Sequence, residues 1–363
     1  MKRISKLLTM AILSGFFLNS CSSDDDVVDP EIEQPESTYA DGLFVLNEGG
    51  FGNNNSSISY IDNDFSDLES DIFSTVNGSS LGDTGQSLTF DDNYAYIVMN
   101  VSNIVQIVDR YTFEHIHTIE EGLSNPRYLT LVDEKIYVTN WGDASNDTDD
   151  YIAIYNASTY ESTGTISVGE GPEKIINDNN KLYVALQGGY NYNDKIVIID
   201  PISNIVEVSI EIGDAPNSIE ISDGFLWVMS GGVPGYAQGV GETAGSISKI
   251  DLSNNEITEE LIFPNTTDHP SNFEIEDDTI YYTLNGSVYS MEESATELPE
   301  ESLFTFTDIT SFYGFEIEDG YLYTGDAGDY SSNGVVRIYN FEGEIISQFD
   351  SGGVSPNGFY FND

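Results

Sequence analysis

Residues 134–142 read EKIYVTNWG. The run IYVTN has the alternation of a half-buried β-strand and stops at a polar residue. Trp141, one of two tryptophans in the chain, and Gly142 then follow where a turn belongs. The same kind of run recurs as GLFVLNEG at Gly42, NYAYIVMN at Asn93, NKLYVALQGG at Asn180, DGFLWVMSGG at Asp223, DTIYYTLNG at Asp278 and DGYLYTGDAG at Asp319. A second apolar run follows each one: SISYID, NIVQIVD, YIAIYN, KIVIID, SISKID, SVYSME and VVRIYN.

A third signal, usually opened by proline or glycine, also occurs seven times: GQSLTF, NPRYLTL, GPEKIIN, APNSIEI, HPSNFEI, FYGFEIE and SPNGFYF. These begin at residues 85, 125, 171, 215, 269, 312 and 355. Short strands repeating with a period in the forties indicate an all-β, seven-bladed β-propeller. The phase is informative. GLFVLNEG has no such signal before it, and SPNGFYF has no partner run after it. The C-terminal strand is therefore expected to complete the first blade and remove the open sheet edges. Tyr137 and its counterparts Phe44, Tyr96, Tyr183, Trp227, Tyr281 and Tyr323 share one strand position, which predicts packing between neighbouring blades.

IYVTN matches the name-giving motif of the YVTN, or YncE-like, propeller repeat, and the resemblance spans residues 42–361. It implies the fold and leaves the activity open, because propellers host many unrelated functions.

The N-terminus reads as a lipoprotein signal peptide over residues 1–20. Lys2, Arg3 and Lys6 form a basic region before the apolar stretch Leu7 to Leu18, which is shorter than the roughly 20 residues a membrane span needs. LNSC then resembles the bacterial lipobox, with Cys21 the lipidated mature N-terminus. Cys21 is the single cysteine, so the chain forms no internal disulfide. Residues 21–40 read as a lipidated acidic linker, and residues 41–363 as the propeller. The run Ser23-Asp24-Asp25-Asp26 resembles the export signal of surface-exposed lipoproteins of the Bacteroidota. Outer-membrane attachment through the lipid anchor, facing the cell surface, is the expected localisation. Cleavage removes three of 11 basic residues and none of the 63 acidic ones, leaving a mature charge of −55. Such a charge repels nucleic acid.

In a propeller the loops between second and third strands gather on one face. Here they are long, rich in glycine, aromatics and amides, whereas the turns on the opposite face are short and polar. Aromatics and amides are the side chains of adaptable recognition surfaces. Phe51, Asn53, Asn54, Trp141, Gln187, Tyr190, Tyr192, Tyr236, Gln238, Asp326 and Tyr330 are accordingly the candidate ligand-binding residues.

No catalytic motif stands out, and no cofactor is expected. His115 and His117 alternate along one outer strand. DASNDTDD offers hard oxygen ligands for Ca²⁺ through Asp143, Asp147 and Asp149, without the spacing of an EF-hand loop. Glu48, Asn100, Asn140 and Asp326 imitate the channel ligands of calcium-dependent lactonases, but the repeats place Asn140 and Asp326 one strand position before Asn100. A metal-dependent hydrolase and an envelope interaction scaffold are the alternative readings.

The opening GLFVLNEGGFGNNNSSISYID is similar to the vitamin B12-capturing surface lipoproteins of the BtuG type in Bacteroidota. That resemblance implies a non-enzymatic protein that captures a corrinoid and passes it to a TonB-dependent outer-membrane transporter.

Overall fold

The computed structural model describes residues 38–66, 68–143, 146–237 and 239–362. The signal peptide, Cys21 and most of the acidic linker lie outside the described residues, as does Gln238.

The repeat reading holds. Seven four-stranded antiparallel sheets follow one another around a ring. The blade of the opening stretch contains Pro126–Val132, Lys135–Asn140, Tyr151–Asn156 and Ser162–Ser167 in that spatial order, so IYVTN is its second strand. Closure is as expected: Pro356–Asn362 pairs antiparallel with Gly42–Asn47, setting Asn362 opposite Gly42 and Tyr360 opposite Phe44.

The energetic reason for seven separate apolar runs lies between the sheets. Each of the seven aromatics at the Tyr137 position is buried against residues of the next blade. Tyr137 packs with Ile175, Leu182 and Val184, and Trp227 packs with Phe273, Ile280 and Tyr282. Tyr323 closes the series against Leu43 and Val45 of the first blade. Non-directional burial of flat rings suits sheets stacked face to face. The hydroxyls still find partners: Tyr96 donates to Asp91 at 2.7 Å and Tyr137 to the Pro201 carbonyl at 3.1 Å.

Two blades depart from four full strands. The outer strands of the first and sixth blades shrink to Leu68–Glu69 and Phe304–Thr305. A short helix, Ile72–Asn77, follows the first of these and buries Ile72 and Phe73 in the first interblade core.

One recurring irregularity matters for function. In all seven blades the register between first and second strands slips immediately after the opening residue, which is a proline, Gly85, Ser271 or Phe312. A β-bulge re-aims the side chains beside it. Here it turns the residues just after the strand start, such as Arg127, Tyr128, Lys174, Asn217 and Tyr313, toward the mouth of the central channel.

Candidate functional site

The mouth of the channel opens into a cavity of about 640 Å³. Two tiers of residues line it. The upper tier comes from the first position beyond second strands: Glu48, Asn100 and Gln187 occupy equivalent places. Their backbone N–H groups donate to the residues preceding the inner strands, Ser355, Thr84 and Gly171, at 2.8–2.9 Å. Trp141 makes the same bond, to Asn125, at 3.1 Å. The loop face is thus tied to the inner strands by a repeated backbone link.

The lower tier comes from the inner strands themselves. Arg127 makes two 2.8 Å hydrogen bonds to the Glu173 carboxylate, in the bidentate geometry that suits a guanidinium. Tyr313 donates to Glu48 across the rim. Burial raises the Glu48 pKa above its ordinary value, although the Tyr313 bond and the Arg127 charge pull the other way.

Deeper in, Lys174 faces Glu274 and Glu316 from the inner strands of the sixth and seventh blades. Its ammonium lies 4.6 Å from the Tyr128 ring centroid. Burial opposes its charge, yet its pKa is raised by Tyr128, Glu274, Tyr360 and Glu316 around it. Glu274 accepts side-chain hydrogen bonds from Glu220 and Glu316. Burial and then the Glu274 charge push Glu220 and Glu316 well above the carboxylate range. Burial raises Glu274 too, although the bonds from Glu220 and Glu316 and the Lys174 charge pull the other way, so the channel disfavours three negative charges side by side.

The structure distributes the sequence-predicted residues unevenly. Phe51, 80% exposed, and Gln187 line the main cavity. Tyr330 is exposed and meets Tyr313 edge-on at 5.6 Å, so it stands beside the rim. Trp141 and Tyr190 instead line an adjoining pocket of about 180 Å³ with Asp143, Asp147, Asp150 and Glu170. Burial and neighbouring carboxylates push Asp150 up to about 6, against the bond it accepts from Gly171. Asn53 and Asn54 are exposed, and Asn54 donates to Ser80 at 3.2 Å. Tyr192 is half-buried and Tyr236 is 85% exposed; neither lines the main cavity.

Asp326 is a correction. It is 4% exposed, pairs with Arg337 at 3.0 Å and accepts from the N–H groups of Thr310, Ser311 and Gly328. Burial works against its charge, but these donors hold its pKa below the ordinary value. Its oxygens are consumed inside the seventh blade. Asn140 is likewise fully buried, accepting from Ser124 at 2.9 Å. Of these four residues only Glu48 and Asn100 line the cavity, and the lactonase-like quartet does not converge.

Trp141 is held by its neighbours. It is half-buried, with the Arg127 guanidinium 4.0 Å from its ring centroid and Tyr190 edge-on at 5.7 Å. Among the described residues, no three carboxylate, imidazole or thiol side chains are disposed to hold a metal ion. Asp149 turns back to accept from the Asp143 N–H at 3.3 Å. His115 contacts Thr118 at 2.9 Å while His117 stacks on Tyr160 at 4.8 Å.

The inner-strand residues Arg127, Lys174, Glu274, Glu316, Tyr313 and Asn357 were not singled out by sequence. The signals were present: an apolar-Glu-Ile pattern in IEI, FEI and FEI of three consecutive units, and Pro-Asn in APNSIEI and SPNGFYF.

No curated protein matches the chain. Among solved structures, a quinonprotein alcohol dehydrogenase-like protein from Bacteroides thetaiotaomicron aligns with TM-score 0.65 and 15% identity, over 90% of this chain and 79% of its own. BamB from Moraxella catarrhalis aligns with TM-score 0.54 and 15% identity, over 87% and 84%. The computationally designed Ika8 protein aligns with TM-score 0.57 and 12% identity, over 88% and 91%. These likenesses are of fold alone. The family model described as Domain of unknown function (DUF5074) matches residues 41–362, and the chain belongs to that family.

Proposed function

We propose that this protein is a lipid-anchored, surface-exposed capture protein of the outer membrane, that its ligand is a corrinoid, and that it delivers the ligand to a TonB-dependent transporter without chemistry of its own. The observation that carries the reading is the open cavity of about 640 Å³ at the channel mouth, walled by amides and tyrosines. A broad, neutral ligand studded with amides suits such a wall. It presents donors and acceptors to Asn, Gln and Tyr, and its faces to rings such as Phe51. The lipobox at Cys21 and the acidic run after it support the anchoring half of the proposal.

Equilibrium dialysis of the full chain, held in mild detergent, against cyanocobalamin tests the ligand. Saturable one-to-one binding is expected; cyanocobalamin distributing equally across the membrane would refute corrinoid capture. Fractionation of cells producing Cys21→Ala tests the anchor, with the variant expected in the soluble fraction.

A further inference from the structure

Two asparagines in the cavity wall point beyond the size of the ligand to its chemistry. Asn217 and Asn357 each follow the proline that opens an inner strand. Each amide nitrogen donates to the backbone carbonyl at the start of the next blade's inner strand: Asn217 to Pro270 at 3.0 Å, Asn357 to Gly85 at 2.8 Å. These bonds fix which way each amide faces, because the reverse orientation would set oxygen against oxygen. Both Oδ1 atoms are consequently turned away from the backbone. Both are buried, and both lack a protein partner.

A buried acceptor left unmade is costly, which is why such groups are scarce in folded proteins. The same unpartnered atom recurs at structurally equivalent positions of two blades, on two asparagines that line one cavity. The two cations of the lower tier are already engaged: Arg127 directs two donors to Glu173, and Lys174 is surrounded by Glu274, Glu316 and tyrosines.

We infer that Asn217 and Asn357 are paired acceptor points that select a ligand carrying N–H donors, specifically primary carboxamides, and discriminate against isosteric groups that can only accept. The inference rests on the cavity being the capture site, but not on the ligand being a corrinoid. Its energetic basis is asymmetric. A carboxamide satisfies the stranded oxygens, whereas an ester in its place leaves acceptor facing acceptor.

Selective labelling gives a test that needs no substitution. The chain contains three Pro-Asn pairs, at Asn217, Asn265 and Asn357. Carbonyl-¹³C proline with ¹⁵N-asparagine therefore isolates three backbone amide signals, of which Asn265 lies outside the cavity and serves as a control. Succinamide is titrated into the full chain, then dimethyl succinate, which is neutral and keeps the skeleton but has no N–H. Saturable shifts at Asn217 and Asn357 with succinamide, at least tenfold weaker with the diester and absent at Asn265, are the expected result. Equal response to both probes, or to neither, overturns the inference. If succinamide behaves as expected while cyanocobalamin leaves all three signals unmoved, donor selection stands and the corrinoid reading falls.

Discussion

The Arg127 guanidinium carbon lies 4.0 Å from the centroid of the Trp141 ring, while its nitrogens hold the Glu173 carboxylate through two 2.8 Å bonds. The ring forms a platform for a cation already committed at its edge. A flat guanidinium suits both contacts at once, since stacking leaves the in-plane N–H groups free. Trp141 thereby links the small acidic pocket to the wall of the main cavity.

This gives Trp141 a structural share that a purely solvent-facing aromatic would lack. Trp141→Ala should destabilise the protein by about 1–3 kcal/mol, combining the lost cation–π contact with lost packing. Trp141→Phe should recover part of that. Chemical denaturation with intact slopes would measure both. An alanine variant as stable as the parent would contradict the platform role.

Removing the cation should be worse. Arg127→Ala strands the Glu173 carboxylate, whose side chain is 7% exposed, and breaking a buried pair this way costs about 3–5 kcal/mol. Arg127→Lys keeps the charge but loses the second bond, so it should fall between. Glu173→Gln combined with Arg127→Ala should regain stability relative to Arg127→Ala alone. A double variant no better than the single one would mean that Glu173 is not the group left in distress.

The proton-holding acids give a pH dependence of defined sign. Burial and the Glu274 charge raise Glu220 and Glu316 above their ordinary value of 4.5. Both therefore bind protons more tightly folded than unfolded. Their contribution to stability is complete below about pH 4.5 and is lost as pH rises through the higher folded values. Glu316→Gln keeps the hydrogen-bond donor and removes one titration. Melting curves from pH 5 to 8 should show a shallower loss in this variant than in the parent. Identical slopes would contradict a raised pKa at Glu316.

Closure of the ring makes the C-terminus indispensable. Deleting residues 355–363 removes the strand paired with Gly42–Asn47 and strands backbone groups worth about 1–3 kcal/mol each, against a net stability of roughly 5–15 kcal/mol. The truncated chain should not melt cooperatively. A transition within a few degrees of the parent would show that the first blade is dispensable.

The ring was legible because its determinants are local and repeated. Prolines or glycines open most inner strands, aromatics recur at the Tyr137 position, and the unpaired ends of the series imply closure. The cavity floor was harder to see because it is created by closure itself. Lys174, Glu274 and Glu316 sit at positions that read, within one strand, as the solvated half of an alternating pattern. Only when seven such strands converge do those positions face one another. Loop composition located Phe51 and Gln187 at the cavity. It also admitted Asp326, because a strand-end carboxylate looks the same in sequence whether it faces solvent or caps its own blade with Arg337. Tyr236 is exposed as expected, but apart from the cavity.

The proposed function requires ligand to be held at the channel mouth. Isothermal titration of cyanocobalamin into the parent, Gln187→Ala and Tyr236→Ala proteins tests this most directly, because Gln187 lines the cavity and Tyr236 does not. The expected result is one-to-one binding by the parent, a loss of roughly tenfold in affinity, or about 1.4 kcal/mol, in Gln187→Ala, and unchanged binding in Tyr236→Ala. Binding that survives Gln187→Ala but collapses with Tyr236→Ala would place the ligand elsewhere on the face and contradict the account.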